Sequence, residues 1–170
     1  MPNRALFLDR DGVINIDSGY VYRRDDFQFQ AGLFELCRDF QTKNYRIIII
    51  TNQSGVARGY YTEEDLQRLH EYMLDEFSQE KITITAIFYC VSADEAHPDR
   101  KPNPGLFLKA QAIHALDMPA SVSIGDKERD IIAAQRAGVG TNILLDEKPN
   151  AITAAEYRVK NLREVVTLCI

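Results

Sequence analysis

The run Ala5-Leu6-Phe7-Leu8-Asp9-Arg10-Asp11-Gly12 decides the reading of this chain. Its apolar half lacks the alternation of a half-wet strand. It reads as a strand buried on both faces, and such strands belong to parallel sheets. The run then stops in two carboxylates around an arginine, followed by a glycine. In open parallel sheets, ligands gather beyond the carboxyl ends of the strands, so Asp9 and Asp11 stand where chemistry is expected.

Further along the chain the same form repeats. Arg46–Ile50 runs into Thr51-Asn52-Gln53-Ser54-Gly55, Thr83–Cys90 is β-branched and aromatic, Ser121–Ile124 runs into Gly125-Asp126-Lys127, and Thr141–Leu145 is a fifth such run. Helical stripes separate them: Leu33, Leu36, Cys37 and Phe40, then Leu66, Leu69, Met73 and Phe77, with Thr62 and Asp65 as a capping box. Leu106, Ala110 and Ile113 follow, then Ile131, Ala134 and Gly138, and last Leu162, Val165, Val166 and Cys169. These stripes are core faces and carry no chemistry. The alternation predicts an α/β fold: a doubly wound, mostly parallel, Rossmann-like sheet with helices on both faces. No repeat, linker or low-complexity run interrupts it, so residues 1–170 are expected to form one domain with no large cap domain. The polar and aromatic stretch Asn15–Gln30 reads as a loop or hairpin over the site.

Bulk properties narrow the function. With 20 Lys+Arg against 25 Asp+Glu the net charge is −5, which argues against nucleic acid as the main partner. A few local cations can still hold an anionic small molecule. The three cysteines, Cys37, Cys90 and Cys169, suit a reducing compartment better than a disulfide framework. The apolar run before Asp9 is too short for a signal peptide, and Ile47–Ile50 is too short to span a bilayer. A cytoplasmic, monomeric protein with no membrane partner is expected.

The polar residues at the strand ends suggest what it does. Clustered carboxylates repel one another unless a cation sits among them, and oxygen ligands of this kind suit Mg²⁺. A transferring phosphoryl group needs positive charge and donors around its oxygens, which Lys101 and Thr51 provide. Asp9 and Asp11 can divide the roles of nucleophile and proton carrier. Each piece has a plainer reading. Asp-x-Asp and Gly-Asp are common in turns, Thr51-Asn52 suits a helix N-cap, and Arg100-Lys101 suits a solvated surface. The weight lies in their joint order along an alternating β/α chain.

Asp9-x-Asp11-Gly12, Thr51, Lys101 and Gly125-Asp126-x-x-x-Asp130 resemble, in that order, the four motifs of the haloacid dehalogenase superfamily. More narrowly, Phe7–Asn15, Thr51–Gly59 and Arg100-Lys101-Pro102-x-Pro104-Gly105 resemble the D-glycero-D-manno-heptose 1,7-bisphosphate 7-phosphatase family, with histidinol-phosphate phosphatases as close relatives. The resemblance runs from about Leu6 to Ile143. It implies that Asp9 attacks phosphorus and that Asp11 protonates the leaving oxygen and then activates water. It implies Mg²⁺ on Asp9, the Asp11 main-chain carbonyl and Asp126, with Thr51 and Lys101 steadying the phosphoryl oxygens. Asp17, Ser18, Gly19, Tyr20, Asn52, Gln53, Ser54, Arg100 and Lys127 would contact a phosphorylated sugar, and Asp130 would support the site.

Three functions stay open: the heptose bisphosphate phosphatase, a phosphatase of histidinol phosphate or another small phosphoester, and a non-catalytic phosphate-responsive signalling module. Receiver domains combine a similar sheet with Mg²⁺ and a phosphorylated aspartate, but their acidic pair, phosphoacceptor and lysine come in a different chain order. Phosphatases of the heptose family often carry a zinc loop, Cys-x-His then Cys-x-Cys, before the Arg-Lys-Pro motif. Here that region reads Cys90-Val91-Ser92 and His97-Pro98-Asp99, so no structural zinc is expected, and Cys90 reads as a buried strand residue.

Overall fold

All five apolar runs fold as strands, and a sixth joins them. The computed structural model describes residues 3–148, 152–168 and 170. In it β1 (Ala5–Leu8), β2 (Arg46–Asn52), β3 (Ile84–Cys90), β4 (Val122–Gly125), β5 (Thr141–Leu145) and β6 (Tyr157–Val159) form one sheet in the order β3-β2-β1-β4-β5-β6. Every neighbouring pair is parallel, with Phe7 of β1 opposite both Ile48 and Ser123. The helices are α1 (Leu33–Thr42), α2 (Glu63–Gln79), α3 (Gly105–His114), α4 (Glu128–Arg136) and α5 (Leu162–Val166).

Side chains alternate across a strand, and that alternation divides β1 between two apolar layers. Leu6 and Leu8 pack with Leu36 and Phe40 of α1, Met73 and Phe77 of α2, and Leu162 of α5. Ala5 and Phe7 pack with Leu106 and Phe107 of α3 and Ala133 and Ala134 of α4. Helices on both faces explain why the strand is apolar at every position. Thr62 opens α2 as anticipated: its Oγ1 accepts from Asp65 N–H at 3.1 Å, and its own N–H donates to Asp65 Oδ2 at 2.9 Å.

Several details differ from the sequence reading. Ile113 is 67% exposed, and Phe107 takes its place in the core. Gly138 lies beyond the end of α4 at φ 84°, in the left-handed region, and so does not belong to the helical face. The closing helix ends at Val166, and Cys169 lies outside the described residues. Asn15–Gln30 is a loop, as expected, closed at its base by an antiparallel bridge between Asn15 and Phe29; it holds one 3₁₀ turn, Arg24–Asp26, and buried Val21 and Phe27 anchor it in the α1/α2 layer. Among the described residues no helix is long and apolar enough to cross a membrane. The strand order reverses between β1 and β4, which makes the carboxyl ends of these strands the place to look for a ligand.

Candidate active site

Asp9 is the first residue beyond β1, and its N–H donates to Ile124 O of β4 at 3.1 Å. The chain then turns sharply, with the N–H groups of Val13, Ile14 and Asn15 all directed at Arg10 O. Gly12, at φ 92°, makes this turn possible, and a Cβ there would lie 2.2 Å from Asp126 Oδ2. Gly125 is required for the same reason, since a Cβ would lie 2.3 Å from Asp130 Cβ. The two glycines let the ends of β1 and β4 bring their carboxylates together.

Asp9, Asp126 and Asp130 each present an oxygen within 4.8 Å of the others. Lys101 reaches this cluster from the loop before α3 and is only 2% exposed. Its Nζ donates to Asp9 Oδ1 at 2.9 Å and to Ile50 O at 2.9 Å, and it lies 2.8 Å from Asp130 Oδ1. Asn52, at the end of β2, clamps the Lys101 backbone: its Oδ1 accepts from Lys101 N–H at 3.0 Å, and its Nδ2 donates to Lys101 O at 3.1 Å. Thr51-Asn52 therefore closes a strand and caps no helix. Asp130 Oδ2 also accepts from Lys127 N–H at 3.1 Å at the start of α4.

The electrostatics of this cluster are unbalanced. Burial, and next the charge of Asp130, push the Asp9 carboxyl well above its ordinary value despite Lys101 beside it. Burial and then Asp130 push Asp126 up to about 6. Burial pulls Lys101 down, but Asp130 and Asp9 outweigh it and hold the ammonium above its usual range. Asp126 Oδ1 is buried and has no hydrogen-bond partner among the described residues. Three carboxylates around one lysine, with an orphaned oxygen among them, fit a divalent cation of the Mg²⁺ type.

The Asp11 side chain faces a separate network. Arg10 Nη2 donates to Asp11 Oδ1 at 2.8 Å and Oδ2 at 3.1 Å, and Asn15 Nδ2 donates to Oδ1 at 3.1 Å. Gln53 Nε2 donates to Asp11 Oδ2 and to Thr51 Oγ1, both at 2.9 Å. Tyr61 OH donates to Gln53 Oε1 at 2.6 Å, and burial pushes that phenol up to about 12. Thr51 is buried behind this network.

A cleft of about 330 Å³ opens in front of these groups. Asp9, Asp11, Lys101 and the expected contacts Asp17, Gly19, Tyr20, Asn52, Gln53, Ser54, Arg100 and Lys127 all line it. Ser18 is exposed and is not among the lining residues. Arg58, Tyr61 and Arg129 line the cleft as well and were not singled out in the sequence. Lys127 Nζ bridges to Asp17 Oδ2 at 3.2 Å. Partial burial works against the Asp17 carboxylate, but the Gly19 N–H and Lys127 hold it below its ordinary value. Away from the cleft, Cys90 Sγ lies 3.7 Å from His97 Nδ1, which also accepts from Asp99 N–H at 3.1 Å.

Residues 99–164 match the HAD-hydrolase-like family model. A Campylobacter jejuni protein, D-glycero-alpha-D-manno-heptose-1,7-bisphosphate 7-phosphatase, is 48% identical over 167 residues, covering 98% of this chain and 95% of its own. The chain belongs to the haloacid dehalogenase-like heptose bisphosphate phosphatases. As a member of this family it is a phosphoric monoester hydrolase. Another relative, the D-glycero-beta-D-manno-heptose-1,7-bisphosphate 7-phosphatase of Helicobacter pylori strain J99, is 43% identical over 96% of this chain and 95% of its own. The D,D-heptose 1,7-bisphosphate phosphatase of B. bronchiseptica, solved with magnesium and phosphate, superposes with a TM-score of 0.86 at 26% identity, covering 96% of each chain.

Proposed function

We propose that this phosphatase is Mg²⁺-dependent and removes the C7 phosphate of D-glycero-D-manno-heptose 1,7-bisphosphate through an aspartyl phosphate on Asp9. The observation that carries the chemistry is the Asp9–Asp126–Asp130 cluster, ion-paired to Lys101, whose Asp9 and Lys101 open into a cleft rich in cations. The choice of sugar rests on the relatives.

Asp9 attacks phosphorus with a carboxylate oxygen, and the bond from phosphorus to the C7 oxygen breaks. Asp11, at the cleft wall, gives that oxygen its proton and then takes one from the water that attacks the aspartyl phosphate. The second attack breaks the bond from phosphorus to Asp9 and frees inorganic phosphate. Lys101 and Thr51 steady the phosphoryl oxygens. Asp9, the Asp11 main-chain carbonyl and Asp126 would hold Mg²⁺, which would supply positive charge to offset that of the phosphoryl group. The second phosphate of the substrate suits the outer cations Arg58, Arg100, Lys127 and Arg129, and the Asp17–Tyr20 turn with Asn52, Gln53 and Ser54 suits the sugar hydroxyls.

The test is phosphate release, with and without Mg²⁺, from both heptose 1,7-bisphosphate anomers, fructose 1,6-bisphosphate and histidinol phosphate. A heptose anomer should rank first, and Asp9→Asn should lower kcat by at least roughly 10³-fold, the scale of losing a nucleophile. A heptose bisphosphate that ranks below the unrelated phosphoesters would overturn the substrate. An active Asp9→Asn would overturn the mechanism.

A further inference from the structure

Among the described residues Arg10 has the largest fully buried side chain, at 0% exposure, yet it does not line the cleft. Taking a guanidinium out of water costs several kcal/mol unless its donors are met. Here they are met three ways. Arg10 Nη2 and Nε donate to the Asp11 carboxylate, Nη2 also donates to Val21 O at 2.6 Å, and Nη1 lies 3.4 Å from His70 Nε2. His70 comes from the middle of α2, is 6% exposed, and meets the Tyr89 ring edge-on at 5.8 Å between centroids. Burial first, and the Arg10 charge second, hold this imidazole down to about 3. It is therefore neutral near pH 7, and Nε2 can accept from Arg10, which has no acceptor of its own to offer.

We propose that Arg10 and His70 are positioning residues for the proton transfer: His70 orients the Arg10 guanidinium, and Arg10 fixes the rotamer of Asp11. The inference rests on the reading of Asp11 as acid and base. A guanidinium and a carboxylate that share two contacts lock one another's planes. By also holding Val21 O, Arg10 ties the proton carrier to the turn that carries Asp17–Tyr20. Positional errors near 1 Å at reacting groups cost on the order of 10²-fold, so a loosened Asp11 should slow proton delivery while phosphoryl binding persists.

The leaving group separates this role from general structural support. An alkoxide leaving group needs the proton from Asp11, whereas p-nitrophenolate departs without one. The measured quantity is kcat/KM, which covers only the steps up to phosphoryl transfer to Asp9. His70→Leu should lower kcat/KM on the sugar bisphosphate about tenfold, while p-nitrophenyl phosphate stays within about twofold. His70→Gln, whose side-chain carbonyl can accept from Arg10, should recover most of the loss. Arg10→Lys should show the same asymmetry more strongly, and if it fails to fold, the two His70 variants still decide the matter. An equal loss on both substrates, or no recovery in His70→Gln, would overturn the positioning role. Asp11→Asn run alongside separates the layers. If Asp11→Asn leaves the sugar bisphosphate rate intact, the acid/base reading itself is wrong. If it abolishes that rate while His70→Leu loses both substrates equally, only the positioning role falls.

Discussion

Lys101 occupies a place where an ammonium is hard to replace. It is 2% exposed and divides its proton donors among Asp9, Asp130 and Ile50 O. Removing one partner of a buried pair leaves the other as uncompensated charge, which costs roughly 3–5 kcal/mol. Lys101→Met should therefore lower the stability of the metal-free protein by about 3 kcal/mol, read from its urea midpoint at pH 7. The deficit should narrow as the pH is lowered, because Asp9, already held above its ordinary value, then takes up a proton. A variant with the wild-type midpoint would show that Lys101 does not compensate these carboxylates. Lys101, Asp9, Asp11 and Asp126 were legible in the sequence because each stands just past an apolar run or in a run of polar motif residues. Arg10 and His70 were not. Charged side chains are mostly exposed, so the default reading puts Arg10 in solvent, and a lone helical histidine such as His70 reads as surface or core with no role. The only sequence signal for Arg10 was its place between two site aspartates directly after a buried strand.

Elements were legible where their residues are uniformly apolar or properly capped. All four apolar residues of β1 are fully buried, and every residue of the predicted α1 and α2 stripes is in the core. β6 was missed because Tyr157-Arg158-Val159 buries only Val159, which leaves no pattern to read. Ile113 was misplaced because Leu106, Phe107 and Ala110 already fill the inner face of α3. The capping box of α2 gives an element-scale prediction. Thr62 is exposed, so its substitution removes the cap without opening a cavity. Thr62→Ala should cost about 1 kcal/mol, which in a chain of this size lowers Tm by roughly 2–4 °C. Thr62→Ser keeps the hydroxyl and should restore the wild-type Tm in the same scan. Equal melting of Thr62→Ala and wild type would mean that packing alone holds the start of α2.

At the scale of the whole molecule, the fold brings like charges together. The parallel sheet places Asp9, Asp126 and Asp130 at one strand edge in a protein that is already net negative at −5. Asp126 bears part of the cost, raised from an ordinary 3.8 to about 6 by burial and by Asp130. A carboxyl whose folded value lies above its unfolded one binds its proton more tightly in the native state. Its contribution to stability is thus complete below about 3.8 and is lost as pH rises through about 6. A cation among these oxygens reverses the preference, because it competes with that proton and favours the ionised form. Millimolar Mg²⁺ should therefore raise Tm little at about pH 5 and clearly more at about pH 7.5, with the change centred near 6. The comparison uses the same protein with and without EDTA, so only the metal differs. Asp126→Asn should weaken both effects, because it removes one titrating group and its charge while keeping the shape, with Asp9 left to titrate. If the Mg²⁺-induced shift in Tm is independent of pH across this window, or survives intact in Asp126→Asn, Asp126 does not hold the cation. Its partnerless Oδ1 would then need another explanation.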